Sequence, residues 1–125
     1  MRKGKRHQLV RIVLLAYLLA VVLMYVLPVN TKGELNAQQF AGLRLDYVLH
    51  AVLFLPLPFL LIDYRAKAGN FVLLFAGAIV LAAATEYIHA LIPYRSFNPN
   101  DLLANVSGVV IGGTLLLLFR LVKRG

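Results

Sequence analysis

At 125 residues the chain has the length of one small domain, but 61% of it is hydrophobic and its mean hydropathy is +0.80. That combination excludes an ordinary soluble globule and points to a membrane protein. Thirteen Lys and Arg against five Asp and Glu give a net charge of +8, and the absence of cysteine excludes disulfides and thiolate metal sites.

Four apolar stretches occupy residues 9–27, 45–62, 70–92 and 102–119. Each is close to the roughly 20 residues that cross a bilayer core at about 1.5 Å rise per residue. The expected fold is all-α: a polytopic membrane protein, a four-transmembrane-helix bundle forming one domain over residues 1–125. The first span, Leu9–Leu27, carries only Arg11, near its start, where the side chain can snorkel to the headgroups. Its apolar run exceeds the ~7–15 residues of a signal-peptide core, and Leu27-Pro28-Val29-Asn30 offers no small-x-small cleavage pattern, so it reads as a retained anchor. In the connection that follows, Leu35, Phe40 and Leu43 predict a short interfacial helix over Glu34–Leu43.

The second span contains Pro56 and Pro58, which predict a kink or local unwinding. Asn70 is the expected cap of the third span, which Pro93 terminates. Asn98-Pro99-Asn100-Asp101 reads as a helix start, with Asn98 as N-cap and Pro99 at the first helical position. In the fourth span Gly108 and Gly112 form a small-xxx-small face, expected to pack against the third span.

The charge distribution sets the expected orientation. Ten basic residues (Arg2, Lys3, Lys5, Arg6, Arg11, Arg65, Lys67, Arg120, Lys123 and Arg124) fall on one side of the four spans, and three (Lys32, Arg44 and Arg95) on the other. The positive-inside rule then places both termini and the 63–69 loop in the cytoplasm. This alternation accounts for the basic character without nucleic acid, which is not an expected partner.

On that topology three polar pairs reach the outer end of the bundle. Asp46 and His50 lie four residues apart at the start of span two, Glu86 and His89 three apart near the end of span three, and Asp101 and Asn105 four apart at the start of span four. Arg95 lies in the adjoining loop. Charges in hydrocarbon are costly, so each is a candidate functional residue. Structural roles stand beside that reading. Asp46 and Asp101 suit the first turn of a helix, where the dipole stabilises an acid by about 0.3–1 kcal/mol. Asn105 suits an interhelical hydrogen bond; His89 suits a solvated surface, and Arg95 an ordinary loop. Glu86 resists such an account best, because a buried carboxylate must neutralise or find a cation, with His50 or Arg95 as the partner. No dense ligand motif such as HExxH is present, so neither metal nor other cofactor is expected.

The pattern of Asp46-x-x-x-His50, Glu86, Arg95-Ser96-Phe97 and Asp101-x-x-x-Asn105-x-x-Gly108-x-x-x-Gly112 resembles the VanZ-like family of small bacterial membrane proteins over about residues 44–119. The stretch YRSFNPNDLLANVSGVVIG is the most specific part of the resemblance. It implies a multi-pass protein of the bacterial inner membrane in a family implicated in resistance to the glycopeptide teicoplanin. At the position of His89 the family commonly has Gln, which implies hydrogen bonding there rather than acid/base chemistry. The expected function is an outward-facing polar pocket in contact with membrane lipids, binding a lipid-linked or glycopeptide-type ligand through Asp46, His50, Glu86, His89, Arg95, Asp101 and Asn105. Two alternatives stay open: a membrane-embedded enzyme with Glu86 and His50 as acid and base on an envelope lipid, and a small translocation or proton-relay protein.

Overall fold

The computed structural model describes residues 3–27 and 37–124; residues 28–36 lie outside the described part. The chain forms helix α1 (Lys3–Val26), a hairpin of β1 (Gln39–Phe40) and β2 (Leu43–Arg44), helices α2 (Leu45–Phe54) and α3 (Leu57–Leu61), and the long helices α4 (Ala68–His89) and α5 (Pro99–Arg124). Gln8–Val26, Ala68–His89 and Pro99–Lys123 are long and apolar enough to cross a membrane, and the shorter apolar stretch Leu45–Leu61 completes the four-element bundle.

The expected second span is therefore two helices. Pro56 has no N–H to donate to the carbonyl one turn before it, and the helix stops at Phe54 and resumes at Leu57. The Tyr17 hydroxyl of α1 donates to the Leu53 carbonyl at 2.5 Å beside this break. A neighbouring helix thus supplies a donor where the ladder is interrupted, the condition under which such breaks survive in lipid.

Several boundaries differ from expectation. Helix α4 ends at His89 rather than residue 92, because the chain tightens ahead of Pro93: the N–H groups of Leu91 and Ile92 bond to the carbonyls of Ile88 and His89, three residues back, at 3.0 and 3.1 Å. It also begins at Ala68 with Lys67 as N-cap, so Asn70 lies inside the helix and does not cap it. Helix α5 starts at Pro99, with the Asn98 side-chain oxygen accepting from the Asn100 N–H at 3.0 Å, which is the predicted cap. Of the interfacial helix expected over Glu34–Leu43, residues 34–36 lie outside the described residues. From Gln39 onward the chain is a hairpin with Gln39 opposite Arg44 and Phe40 opposite Leu43. Its two-residue turn needs positive φ at both positions, and Ala41 (52°) and Gly42 (80°) supply them.

Each helix presents one inward stripe: Tyr17, Val21 and Tyr25 on α1, Phe54 and Leu57 on the broken element, Ala78 and Ala82 on α4, and Val109 on α5 form the apolar core. The large apolar side chains on the opposite faces, such as Leu73, Val80, Leu103 and Leu121, are exposed, as lipid-facing residues must be. The glycine face of α5 packs against α2 and α3, not α4. A Cβ at Gly108 would overlap the Ala51 carbonyl oxygen, and one at Gly112 would overlap that of Leu55. It is Gly113 that faces α4, where a Cβ would strike the Phe75 ring.

Candidate binding site

Towards one end of the bundle the same inward stripes turn polar. On α4, Ala78 and Ala82 are followed four residues on by Glu86 and then by His89; on α5, Val109 is preceded by Asn105 and Asp101; on α2, Phe54 is preceded by His50 and Asp46; on α1, Val21 is followed by Tyr25. Since i and i+4 positions share a helix face, the direction that buries the core also buries these groups. Glu86 and Asn105 are fully buried, His89 is 3% exposed and Asp46 8%.

Asn105 sits at the crossing of the other three elements. Its Oδ1 accepts from the Tyr25 hydroxyl at 2.9 Å and lies 2.9 Å from His50 Nδ1. Its Nδ2 donates to the Ala82 carbonyl at 3.3 Å and to Thr85 Oγ1 at 3.4 Å. The interhelical hydrogen-bonding role expected for Asn105 is thus observed. Tyr25 Oη is also 2.9 Å from His50 Nδ1. One hydroxyl proton cannot serve both neighbours, so with Tyr25 donating to Asn105 the proton on the His50 side belongs to Nδ1. His50 Nε2 faces Asp101 Oδ2 at 3.8 Å, beyond hydrogen-bond distance.

Glu86 is held differently from expectation. Its Oε1 accepts the Asn98 backbone N–H at 2.9 Å, tying α4 to the start of α5. Its Oε2 lies 3.2 Å from His89 Nδ1 without forming a hydrogen bond, so this oxygen keeps an unused acceptor. The side chain beside this oxygen is therefore His89, not the expected His50 or Arg95. His89 is buried rather than solvated, and its ring stacks on Tyr25 at 4.3 Å between centroids and an interplanar angle of 26°. Arg95 does not join the cluster. Its Nη2 donates to the Leu27 carbonyl at 2.8 Å, next to a Tyr94 hydroxyl bond to the Val26 carbonyl. Both side chains satisfy the open carbonyl end of α1, where a cation also complements the helix dipole.

Asp46 lies at the rim. Arg44 grips it with a fork, Nε at 3.1 Å and Nη2 at 2.6 Å, and this hydrogen bonding pushes the Arg44 guanidinium above its ordinary range. The same guanidinium lies 4.4 Å over the Tyr47 ring, whose hydroxyl accepts from Asn100 at 3.2 Å. Sequence reasoning passed over Tyr25, Arg44, Tyr47, Thr85 and the Asn98 N–H. Tyr25 carried a usable signal: it repeats the Tyr17 position after eight residues, and a buried phenol needs a partner. The Asn98 N–H carried none, since any residue at a helix start has one.

Glu86 Oε2, His89 Nε2 and Asp101 Oδ1 are buried with no hydrogen-bond partner. Among the described residues no group of three His, Cys, Asp or Glu is arranged to hold a metal ion. At the opposite end of the bundle Arg120 is buried, donating to the Ala66 carbonyl at 2.7 Å and lying 4.4 Å over the Phe71 ring. Between it and the polar cluster the core includes no Asp, Glu, Lys, Arg or His among the described residues.

Compared with known proteins, the chain matches the family model described as VanZ/LLP1 over residues 12–120. No curated protein and no solved structure is a match.

Proposed function

The chain belongs to the VanZ-like family, a family associated with glycopeptide resistance, and from that premise we propose that its polar cluster is a binding site. The ligand is the polar headgroup of a lipid-linked or glycopeptide-type envelope molecule. The site opens to the outer side of the bacterial inner membrane, with both termini cytoplasmic; the ten-to-three distribution of basic residues supports this orientation.

One observation carries the reading: three buried polar atoms at one end of the bundle, on Glu86, His89 and Asp101, lack partners. Buried polar groups are almost always hydrogen-bonded, and leaving one unmet costs about 1–3 kcal/mol. A ligand bringing donors and an acceptor would relieve that cost, while the Asn98 N–H holds Glu86 and the Tyr25 ring, itself bonded to Asn105, stacks on His89. The test is calorimetric titration of the purified protein with teicoplanin and, separately, with a lipid-linked cell-wall precursor. Saturable binding of either by the parent, weakened by about tenfold or more in Glu86→Gln, is the expected result. Equal affinity in both proteins, or binding of neither probe, contradicts it.

The Glu86–His89 pair also favours a second reading, an acid/base enzyme acting on an envelope lipid. A carboxylate beside Nδ1 and an unpartnered Nε2 is the arrangement in which an imidazole can accept a proton while the acid stabilises its cation. Turnover of envelope lipids by the purified protein, absent from His89→Gln, separates this from simple binding. A transmembrane proton relay has no such support, because the apolar core separates the cluster from Arg120.

A further inference from the structure

At the end of the bundle opposite the polar cluster, a groove of about 840 Å³ runs between the start of α1, the α3 segment and the end of α5. Its walls are apolar, with Val10, Phe59, Leu116 and Phe119 among them, and its rim carries Tyr64 and Arg65. That volume lies within the ~300–1,000 Å³ of ordinary ligand sites. We propose that this groove is a seat for an anionic phospholipid, with an acyl chain along the apolar walls and the phosphate bound by Arg65 and Lys123.

The charges decide the occupant. Arg65 Nε donates to the Tyr64 hydroxyl at 2.7 Å, which orients the guanidinium, and its terminal nitrogens have no hydrogen bond among the described residues. The Lys123 ammonium lies 5.9 Å from the centre of the Phe119 ring, one of the groove walls, and Tyr64 packs edge-on against that same ring at 5.7 Å. Two cations and a phenol therefore gather around one wall. Neither cation forms an ion pair among the described residues. Asp63, also in the lining, is engaged by the backbone, since its Oδ1 accepts the Arg65 N–H at 2.7 Å. Arg120 is turned away onto Ala66 and Phe71. A second copy of this chain would bring the same positive charge to the rim, and a zwitterionic lipid would offset its own phosphate with its ammonium. An anionic headgroup over an apolar tail meets both halves of the groove, as in basic interhelical pockets that hold acidic lipids.

The experiment is native mass spectrometry of the full-length protein in detergent, with phosphatidylglycerol and phosphatidylcholine of identical chains supplied in equal amounts, and glycerol phosphate as a chainless competitor. The parent should retain phosphatidylglycerol in preference by roughly tenfold, and glycerol phosphate should not displace it. Arg65→Gln combined with Lys123→Gln should equalise the two lipids, whereas Lys67→Gln, an exposed cation outside the groove, should leave the preference intact. Val10→Trp, at an exposed wall residue of the groove, narrows the groove, keeps every charge, should reduce retention of both lipids and covers the case in which the double variant fails to fold. Equal retention by the parent, displacement by glycerol phosphate, a preference that survives the double variant, or unchanged retention in Val10→Trp would each overturn the proposal.

Discussion

Replacing Tyr25 by Phe removes one hydroxyl, but that hydroxyl meets both Asn105 and His50. The variant should lose about 0.5–1.5 kcal/mol in reversible unfolding in detergent, because Asn105 Oδ1 loses one of its two donors and keeps that of His50 Nδ1. Tyr87→Phe, at an exposed ring stacked on Phe97, should change stability by less than about 0.5 kcal/mol. Function should rank the carboxylates in a different order. Glu86→Gln retains an oxygen for the Asn98 N–H, so folding should persist while the charge facing His89 disappears. Asp101→Asn, in the first turn of α5 and more than a hydrogen bond away from His50, should be the milder variant in a ligand-binding or resistance assay at matched membrane abundance. A dead Asp101→Asn beside a parent-like Glu86→Gln would move the centre of the site to the loop. The sequence showed that these residues share one end of the bundle, because their spacing places each pair on one helix face. It did not show who pairs with whom. Arg95 and His89 are both reachable from Glu86 by residue count, but Arg95 turns to the Leu27 carbonyl while His89 lies beside the carboxylate.

Among the elements, α5 is the one against which α2, α3 and α4 pack, and its glycines test that role. Gly108→Ala and Gly112→Ala each place a methyl on a backbone carbonyl of the broken element, at Ala51 and Leu55. No side chain can swing aside there, so each should cost about 1–3 kcal/mol or more in the same unfolding measurement. Gly77→Ala on α4 meets nothing within 4 Å and should stabilise by roughly 0.5–1 kcal/mol through helix propensity alone. Parent-like unfolding of both α5 variants would show that this face does not hold the helices together. The small-xxx-small spacing made a close approach legible in the sequence, but not its partner. Gly108 and Gly112 differ from Gly113 by only a fraction of a turn, and the broken second element fills the nearer side because Pro56 and Pro58 let it bend. The Ala41-Gly42 hairpin was likewise missed, since a positive φ at alanine leaves no compositional trace.

For the whole molecule, the structure supplies an axis with two unlike ends. One carries a buried acidic and imidazole cluster capped by the loop after α4; the other carries the exposed cations and the apolar groove. Hydropathy and charge alternation were enough to reveal that polarity, because both are properties of long runs rather than of single contacts. The proposal takes its outward end from the positive-inside rule, and the proposed binding site depends on it, since an envelope ligand can reach only an outer pocket. The chain has no native cysteine, so a single introduced thiol reports its own side. Ser96→Cys, exposed in the loop beside the cluster, and Lys67→Cys, exposed at the opposite end, should be labelled in intact cells with a membrane-impermeant maleimide. Position 96 should react at once and position 67 only after permeabilisation. The reverse pattern, with position 96 protected and position 67 labelled in intact cells, would place the cluster in the cytoplasm and contradict the proposed site.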